Sequence, residues 1–265
     1  MRVLVTGGTG RLGRALVPLL VAGGHRVRIM TRTPREPPAG AEVVRADLAT
    51  GLGLGDGVTG VDTVVHLASA PYRGRQTVRV DVDGTRRLVE AARASGASHL
   101  VYTSIVGVDR VPWAYFRRKV AAEQIVRGGG LGWSIVRATQ FHEFVDAALT
   151  MAARLPVMIT DPRIPGQPVD ARDVADHLMN RVAAGPSATI EDFGGPEVLT
   201  FEELVRAWLT ARGVRRPLLT VRIPGRLGRA FRAGYMTTPE RALGRITWEQ
   251  YLAERHLPPG LASGT

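Results

Sequence analysis

The sequence predicts an α/β fold: a parallel sheet doubly wound with helices on both faces, followed by a smaller C-terminal region. Three observations carry this. Strand-like runs rich in β-branched residues alternate with helix-like segments six times up to Arg137. The first strand leads into a turn with glycines at positions 7, 10 and 13, then into an apolar run of helical spacing. Beyond residue 157 the alternation gives way to Pro-rich stretches and separate amphipathic segments.

Arg2 to Val5 reads as a buried strand and Leu12 to Val21 as the helix that follows it. Strand, glycine turn and helix are the parts of a mononucleotide-binding unit. Gly7 lets the chain turn sharply, Gly10 carries no side chain to block a pyrophosphate, and Gly13 lets the helix pack closely on the strand. The free amides of the new helix then face the phosphates. Thr9, Arg11 and Leu12, in the same turn, complete this set of cofactor candidates.

His25 to Thr31 alternates like a second strand and is followed by Arg32-Thr-Pro-Arg35. In this kind of sheet the second strand ends beside the adenosine ribose, where an acid suits a free 2′-hydroxyl and an arginine a 2′-phosphate. No acid stands there and Arg32 does, with Arg11, in the glycine turn itself, and Arg35 as further candidates for that pocket, so NADP is expected over NAD. Ala41 to Arg45 is a third strand, with Asp47 and Leu48 placed to meet an adenine edge. Residues 51–60 read as a glycine-rich loop, and Val61 to Ala70 as a fourth strand whose small-residue exit passes under the cofactor. His66, inside that strand, reads as a core histidine.

Asp81 to Ser95 is an amphipathic helix and Ser98 to Ile105 a fifth strand. Tyr115 and Lys119 then share one face of a helix running to Val126. That spacing lets a lysine hold a ribose hydroxyl and lower the pKa of a phenol for proton transfer. Gly132 to Arg137 is the sixth strand, and the loop after it carries Phe141, His142 and Phe144 as candidates for an apolar substrate wall. Residues 170–182 form a helix, Thr200-Phe-Glu-Glu opens another with capping-box spacing, and Leu218–Ile223, Gly228–Tyr235 and Thr247–Glu254 are further amphipathic segments. The expected division is 1–150 for the cofactor-binding sheet, with helix 170–182 packed back on it, and 151–265 for a substrate-binding or lid region.

Bulk composition narrows the function classes. The chain has 265 residues, 45% hydrophobic and 22% charged, and no run approaches the roughly 18 apolar residues of a membrane helix. It opens directly in a strand, so no signal peptide is expected; with no cysteine for disulfides or thiolate metal sites, this points to the cytoplasm. The net charge of +11 comes from 34 Arg and a single Lys, Lys119, a skew that reads as codon bias. The arginines are scattered among apolar residues with no aromatic-studded groove, which disfavours nucleic acid. A lone lysine in such a chain marks a place where a compact ammonium matters. The expected partner is a small-molecule substrate, and the expected state a monomer or homodimer.

Thr6-Gly-Gly-Thr-Gly-Arg-Leu-Gly13, Arg32, Tyr115-Phe-Arg-Arg-Lys-Val-Ala-Ala-Glu123 and Arg137-Ala-Thr-Gln-Phe-His142 resemble the atypical short-chain dehydrogenase/reductases. Thr200-Phe-Glu-Glu-Leu and Thr247-Trp-Glu-Gln-Tyr-Leu252 resemble the C-terminal region of their NmrA-like, NAD(P)H-binding branch, so the similarity spans essentially the whole chain. The resemblance implies a Rossmann-type fold with Gly7, Gly10 and Gly13 on the pyrophosphate and Arg32 on the 2′-phosphate. It places Asp47 and Leu48 near adenine, Ala68, Ser69 and Thr103 along the cofactor, and Lys119 on the nicotinamide ribose. Catalytic members of the superfamily add a hydroxyl at the end of the fifth strand and a proton-donating Tyr, here Tyr115. The strand ends Thr103-Ser104-Ile105, so the acting position falls on Ile105 and Ser104 stands one residue early. The leading expectation is an NADPH-dependent reductase of a small apolar electrophile such as a quinone, enone, imine or carbonyl compound, with Tyr115, Lys119 and Ser104 as catalytic candidates. The alternatives are a non-catalytic NADP(H) sensor of the NmrA-like type and a sugar-nucleotide epimerase or dehydratase. No metal is expected.

Overall fold

The computed structural model of the protein describes residues 1–33, 36, 38, 40–71 and 74–256. Arg35, one of the three arginines expected near the ribose, lies outside the described residues.

In chain order the elements begin with β1 (Arg2–Thr6), α1 (Arg11–Ala22), β2 (Arg26–Thr31), β3 (Ala41–Arg45), α2 (Leu54–Val58) and β4 (Thr63–His66). A continuous helix follows in three windings, α3 (Arg75–Thr77), a π-wound stretch (Val78–Gly84) and α4 (Thr85–Ala94). Then come β5 (His99–Ile105), α5 (Ala114–Gly128), β6 (Gly132–Ala138), α6 (His142–Ala152), β7 (Met158–Thr160), β8 (Pro165–Gly166) and α7 (Ala171–Ala184). The chain continues through β9 (Ile190–Phe193), β10 (Leu199–Thr200), α8 (Phe201–Ala211), β11 (Leu218–Thr220), α9 (Gly225–Arg232) and α10 (Trp248–His256).

Two compact units interleave along the sequence: residues 1–104, 113–137 and 174–191 form one, and 105–112, 138–173 and 192 onward the other. The first holds most of a seven-stranded sheet of order β3-β2-β1-β4-β5-β6-β9. β1 pairs in parallel with β2 and β4, placing Val5 opposite both Ile29 and Val65. β2–β3 and β4–β5 are parallel as well. Because helices cover both faces, the middles of the central strands are buried, and Val3, Leu4, Val5, Val64 and Val65 are all 0% exposed. The apolar stripe of α1, Leu12, Leu16, Val17 and Leu20, packs at helical spacing.

This is the doubly wound parallel sheet that the sequence predicts, with β9 as a strand beyond the six expected. Its run, Ile-Glu-Asp-Phe, is short and half polar, and so carries no strand pattern of its own. The glycine-rich stretch 51–60 winds into α2 instead of remaining a loop. The fourth strand is confined to Thr63–His66, and its expected last residues leave the sheet. The helix expected from Asp81 already starts at Arg75, and the π winding carries Asp81 in its middle. Strand order reverses between β1 and β4, and in such sheets ligands bind in the crevice beyond the carboxyl ends at that switch point.

The second unit has its own core, in which Leu149, Met158, Leu204, Val205, Trp208, Trp248 and Leu252 pack together. β7 and β11 pair in parallel, β8 and β10 antiparallel. The expected capping box forms: the Thr200 hydroxyl accepts the Glu203 amide at 3.2 Å and the Glu203 carboxylate accepts the Thr200 amide at 2.7 Å. Buried Asp146 accepts the Trp208 indole N–H at 2.7 Å, satisfying a polar tip inside this core.

Candidate functional site

The turn after β1 adopts a backbone that only glycine serves well. Gly7 sits at φ +70°, and a Cβ there would lie 2.8 Å from the Ala68 nitrogen at the exit of β4. A Cβ on Gly13 would lie 2.4 Å from both the Gly7 oxygen and the Gly8 Cα, so this glycine is what lets α1 start against the turn. Gly10 differs. Its Cβ would meet only the Gly7 oxygen, at 3.1 Å, and its φ of −76° suits any residue. A side chain at Gly10 would thus meet the fold far less closely than one at Gly7 or Gly13. α1 has no side-chain cap and no acid in its first turn, which leaves its leading amides to an anion.

A cleft of about 520 Å³ opens at this place, lined among others by Gly7, Thr9, Gly10, Thr31, Arg32, Asp47, Leu48, Ala68, Ser69 and Gln76. Eight of the residues expected on a cofactor thus converge from four separate stretches of chain. Arg32 is exposed, and among the described residues no hydrogen bond or ion pair holds it. Asp47 closes its own loop by accepting the Ala49 amide at 2.8 Å. Arg11, Leu12 and Gly13 are not lining residues: Arg11 is exposed at the start of α1, while Leu12 and Gly13 are buried beneath the turn. A glycine cradle and an uncapped helix start fit the pyrophosphate of a dinucleotide.

Under the cleft lies a hydrogen-bonded chain whose proton positions follow from donor counting. The Thr85 hydroxyl donates to the Asp81 carbonyl at 2.7 Å, so at 3.0 Å from His66 Nε2 it must accept. Nε2 therefore carries the ring proton, and Nδ1 accepts from the Thr6 hydroxyl at 2.7 Å. Thr6 in turn accepts the Ala68 amide at 3.2 Å. This chain ties the ends of β1 and β4 to the helix above them. Burial, aided by the Lys119 ammonium, lowers the His66 pKa to about 3, which keeps the ring neutral. The expectation of a core histidine matches this position.

Ser69 is exposed at the cleft wall. Its hydroxyl donates to Asp81 Oδ1 at 2.5 Å and lies 2.9 Å from the Tyr115 phenol oxygen. Asp81 is 1% exposed, and its other oxygen accepts the Ala70 amide at 2.9 Å. Lys119, one turn after Tyr115, is buried, donates to the Thr103 carbonyl at 2.8 Å and stands 4.2 Å over the Tyr102 ring. Burial brings its pKa down to about 8, against the carboxylates of Asp81 and Glu123, which pull it up. Tyr115 and Lys119 thus share one face of α5; both are buried, and neither lines the cleft. Ser104 is 3% exposed, its hydroxyl finds no hydrogen-bond partner among the described residues, and it does not line the cleft.

The residues expected to form a substrate wall belong to the second unit and are not equivalent there. Phe144 is exposed and Phe141 half-buried. His142 is 0% exposed, its ring 5.6 Å from that of Trp248 and 5.0 Å from that of Tyr251, with Nδ1 3.6 Å from Asp170. This corrects the reading of His142 as a wall residue: enclosed on all sides, its ring packs against aromatic neighbours within the core. Among the described residues no cluster of ligands could hold a metal ion, and no helix is long and apolar enough to cross a membrane.

Asp81 and Gln76 are site residues that sequence reasoning passed over. The signal for Asp81 was an acid on the buried face of an amphipathic helix, legible only once the π winding is known.

Comparison with known proteins agrees with this geometry. Residues 7–184 match the family model described as NAD(P)H-binding. The chain is 33% identical over 157 residues to a 3-beta-hydroxysteroid dehydrogenase of Mycolicibacterium neoaurum, covering 48% of this chain and 43% of that protein. It is 40% identical over 115 residues to a 3-diazoavenalumate denitrifying reductase of a Streptomyces species, covering 40% of this chain and 38% of that protein. The chain therefore spans less than half the length of these two curated relatives. A short-chain dehydrogenase/reductase superfamily protein from Agrobacterium tumefaciens, solved with bound NAD, superposes with a TM-score of 0.72 at 25% identity, covering 96% of this chain and 95% of that one. The NADPH complex of an NADPH-dependent quinone oxidoreductase from Escherichia coli superposes with a TM-score of 0.79 at 17% identity, covering 95% of this chain and 99% of that one, a likeness of fold.

Proposed function

The chain belongs to the NAD(P)H-binding family, and we propose that it is a reductase that uses NADPH to reduce a small, apolar electrophile such as a quinone, enone, imine or carbonyl compound. The observation that carries this reading is the junction of two features in one wall. The cradle for a dinucleotide reaches Ser69, and through it the phenol of Tyr115. When bound, the reduced nicotinamide supplies a hydride.

The chain's own residues do the rest. The amides that open α1 hold the pyrophosphate, with Gly10 giving it room. Arg32 takes the 2′-phosphate, which a planar guanidinium grips through paired hydrogen bonds. Tyr115 gives a proton to the acceptor oxygen, and Lys119 holds the ribose and sets the phenol's charge balance. Positioning of the acceptor supplies much of the remaining acceleration. The reductase and dehydrogenase names among the relatives, and the quinone oxidoreductase among the structures of like fold, support the reaction class.

The test is turnover. Purified protein with NADPH and a panel of quinones, enones, imines and carbonyl compounds is followed by the loss of dihydronicotinamide absorbance. At least one class should be reduced, and Tyr115→Phe should lower kcat by about 100-fold or more. Saturable NADPH binding with no turnover on any class would replace this reading with that of a cofactor sensor.

A further inference from the structure

The position where related enzymes place a catalytic hydroxyl after the fifth strand is Ile105, which has none to give, and the neighbouring Ser104 is buried off the cleft. A different hydroxyl stands against the phenol: Ser69, from the exit of β4. We propose that Ser69 and Asp81 are the proton-supply arm of this site, a relay in which Asp81 exchanges a proton with Tyr115 through the Ser69 hydroxyl; the proposal rests on the reductase reading above.

The directions of the hydrogen bonds make the relay specific. A carboxylate accepts only, and a serine hydroxyl has a single proton. Ser69 spends that proton on Asp81 at 2.5 Å, so toward Tyr115, 2.9 Å away, it offers a lone pair and the phenol donates. Every proton in the row therefore points from the phenol toward the carboxylate. This is the arrangement left after a reduction. To run again, Asp81 takes one proton from water through exposed Ser69. It then donates to Ser69, Ser69 donates to Tyr115, and Tyr115 donates to the acceptor oxygen. One proton enters at the carboxylate and one leaves at the phenol. Three O–H bonds break and three form, and Asp81 ends as carboxylate again. In the oxidative direction the same row carries the alcohol proton to Asp81.

Asp81 suits this end of the row. It is 1% exposed, its second oxygen is fixed by the Ala70 amide, and it sits in the π-wound part of the helix, a winding common at functional sites. Among the described residues, the groups facing it are Ser69 and the Ala70 amide from the β4 exit, Tyr115, through Ser69, and Lys119 from α5, and Tyr102 from β5. Its charge reaches both of the last two: after burial, it is the largest cause raising the Tyr102 phenol and the largest pulling the Lys119 ammonium up.

Two readouts test the relay. The first needs no turnover: tyrosinate absorbance is titrated in the whole protein, and the transition lost in Tyr115→Phe is assigned to Tyr115. Removing the carboxylate charge in Asp81→Asn should move that transition down by about one pH unit; an unmoved transition overturns the relay. The second is the pH profile of kcat for an accepted substrate. Ser69→Ala and Asp81→Asn should each lower kcat about tenfold or more with KM within about twofold, and should flatten the limb on which reduction slows as pH rises. Ser69→Thr, which keeps a hydroxyl, should recover most of the rate. Unchanged kcat and profile in both variants overturn the relay while the reductase reading stands. If no acceptor is reduced, that reading fails and the tyrosinate shift alone decides whether Asp81 is coupled to Tyr115.

Discussion

His66 offers a test of the hydrogen-bonded chain beneath the cleft, because its protonation state is set by its neighbours. Thr6 donates to Nδ1 and the Thr85 oxygen can only accept from Nε2, so a protonated ring would face the Thr6 hydroxyl donor to donor. Burial lowers its pKa from 6.5 to about 3. Unfolding restores the ordinary value, so between about pH 6.5 and pH 3 the unfolded chain binds the extra proton and the folded chain does not. Stability from this residue is thus fully present above about pH 6.5 and is lost as pH falls. About 3.5 pH units at ~1.36 kcal/mol each give a loss on the order of 5 kcal/mol, comparable with the whole stability of a small domain. The assay is urea unfolding of the wild type and His66→Gln at about pH 7 and about pH 4. Glutamine keeps one donor and one acceptor but does not titrate. It should cost ~1–3 kcal/mol at neutral pH through imperfect hydrogen bonds. From about pH 7 to about pH 4 it should then lose about 3 kcal/mol less than the wild type. Parallel losses in the two proteins would refute the argument, since other titrating groups cancel in the comparison.

Four further predictions concern the glycine turn, Arg32 and the buried Lys119. Gly13→Ala should destabilise by about 3 kcal/mol through overpacking, because its Cβ would sit 2.4 Å from backbone atoms. Gly10→Ala, with only a 3.1 Å contact, should unfold within about 1 kcal/mol of the wild type and yet bind NADPH about tenfold more weakly or worse; denaturation and calorimetric titration of the same samples check both. Arg32→Ala should weaken NADPH about tenfold or more while leaving NADH within about twofold, read from the ratio of dissociation constants. Lys119 has its pKa lowered from 10.5 to about 8, so the unfolded chain binds more protons between those values and stability should rise with pH across that window. Relative to Lys119→Met the rise should be on the order of 3 kcal/mol, and a flat difference in unfolding free energy between about pH 8 and pH 10 would contradict it.

How far the fold and site were legible in the sequence follows from where each signal resides. The strand–glycine turn–helix unit and the shared helix face of Tyr115 and Lys119 were readable because their geometry is local: residue type and spacing along a few residues carry it. Central strands such as Val3–Val5 were equally plain, since strands buried on both faces are continuous apolar runs. β9 was not, because an edge strand reading Ile-Glu-Asp-Phe gets its conformation from the sheet beside it. The bond between Ser69 and Tyr115 joins residues 46 apart, and that between Ser69 and Asp81 joins the β4 exit to a helix whose π winding has no sequence signature. His142 misled for a related reason: position after the sixth strand says nothing of whether a ring points outward or, as here, inward against Trp248 and Tyr251. The interleaving of the two units is likewise a property of three-dimensional contacts, invisible to a linear reading.

The central claim is that the opening turn cradles a phosphorylated dinucleotide, and calorimetric titration of NADPH into the purified protein tests it most directly. The account predicts saturable binding at one equivalent per chain, weaker for NADH and weakened by Gly10→Ala in a protein that still folds. Absence of binding for both cofactors, or a Gly10→Ala variant that binds as well as the wild type, would contradict it.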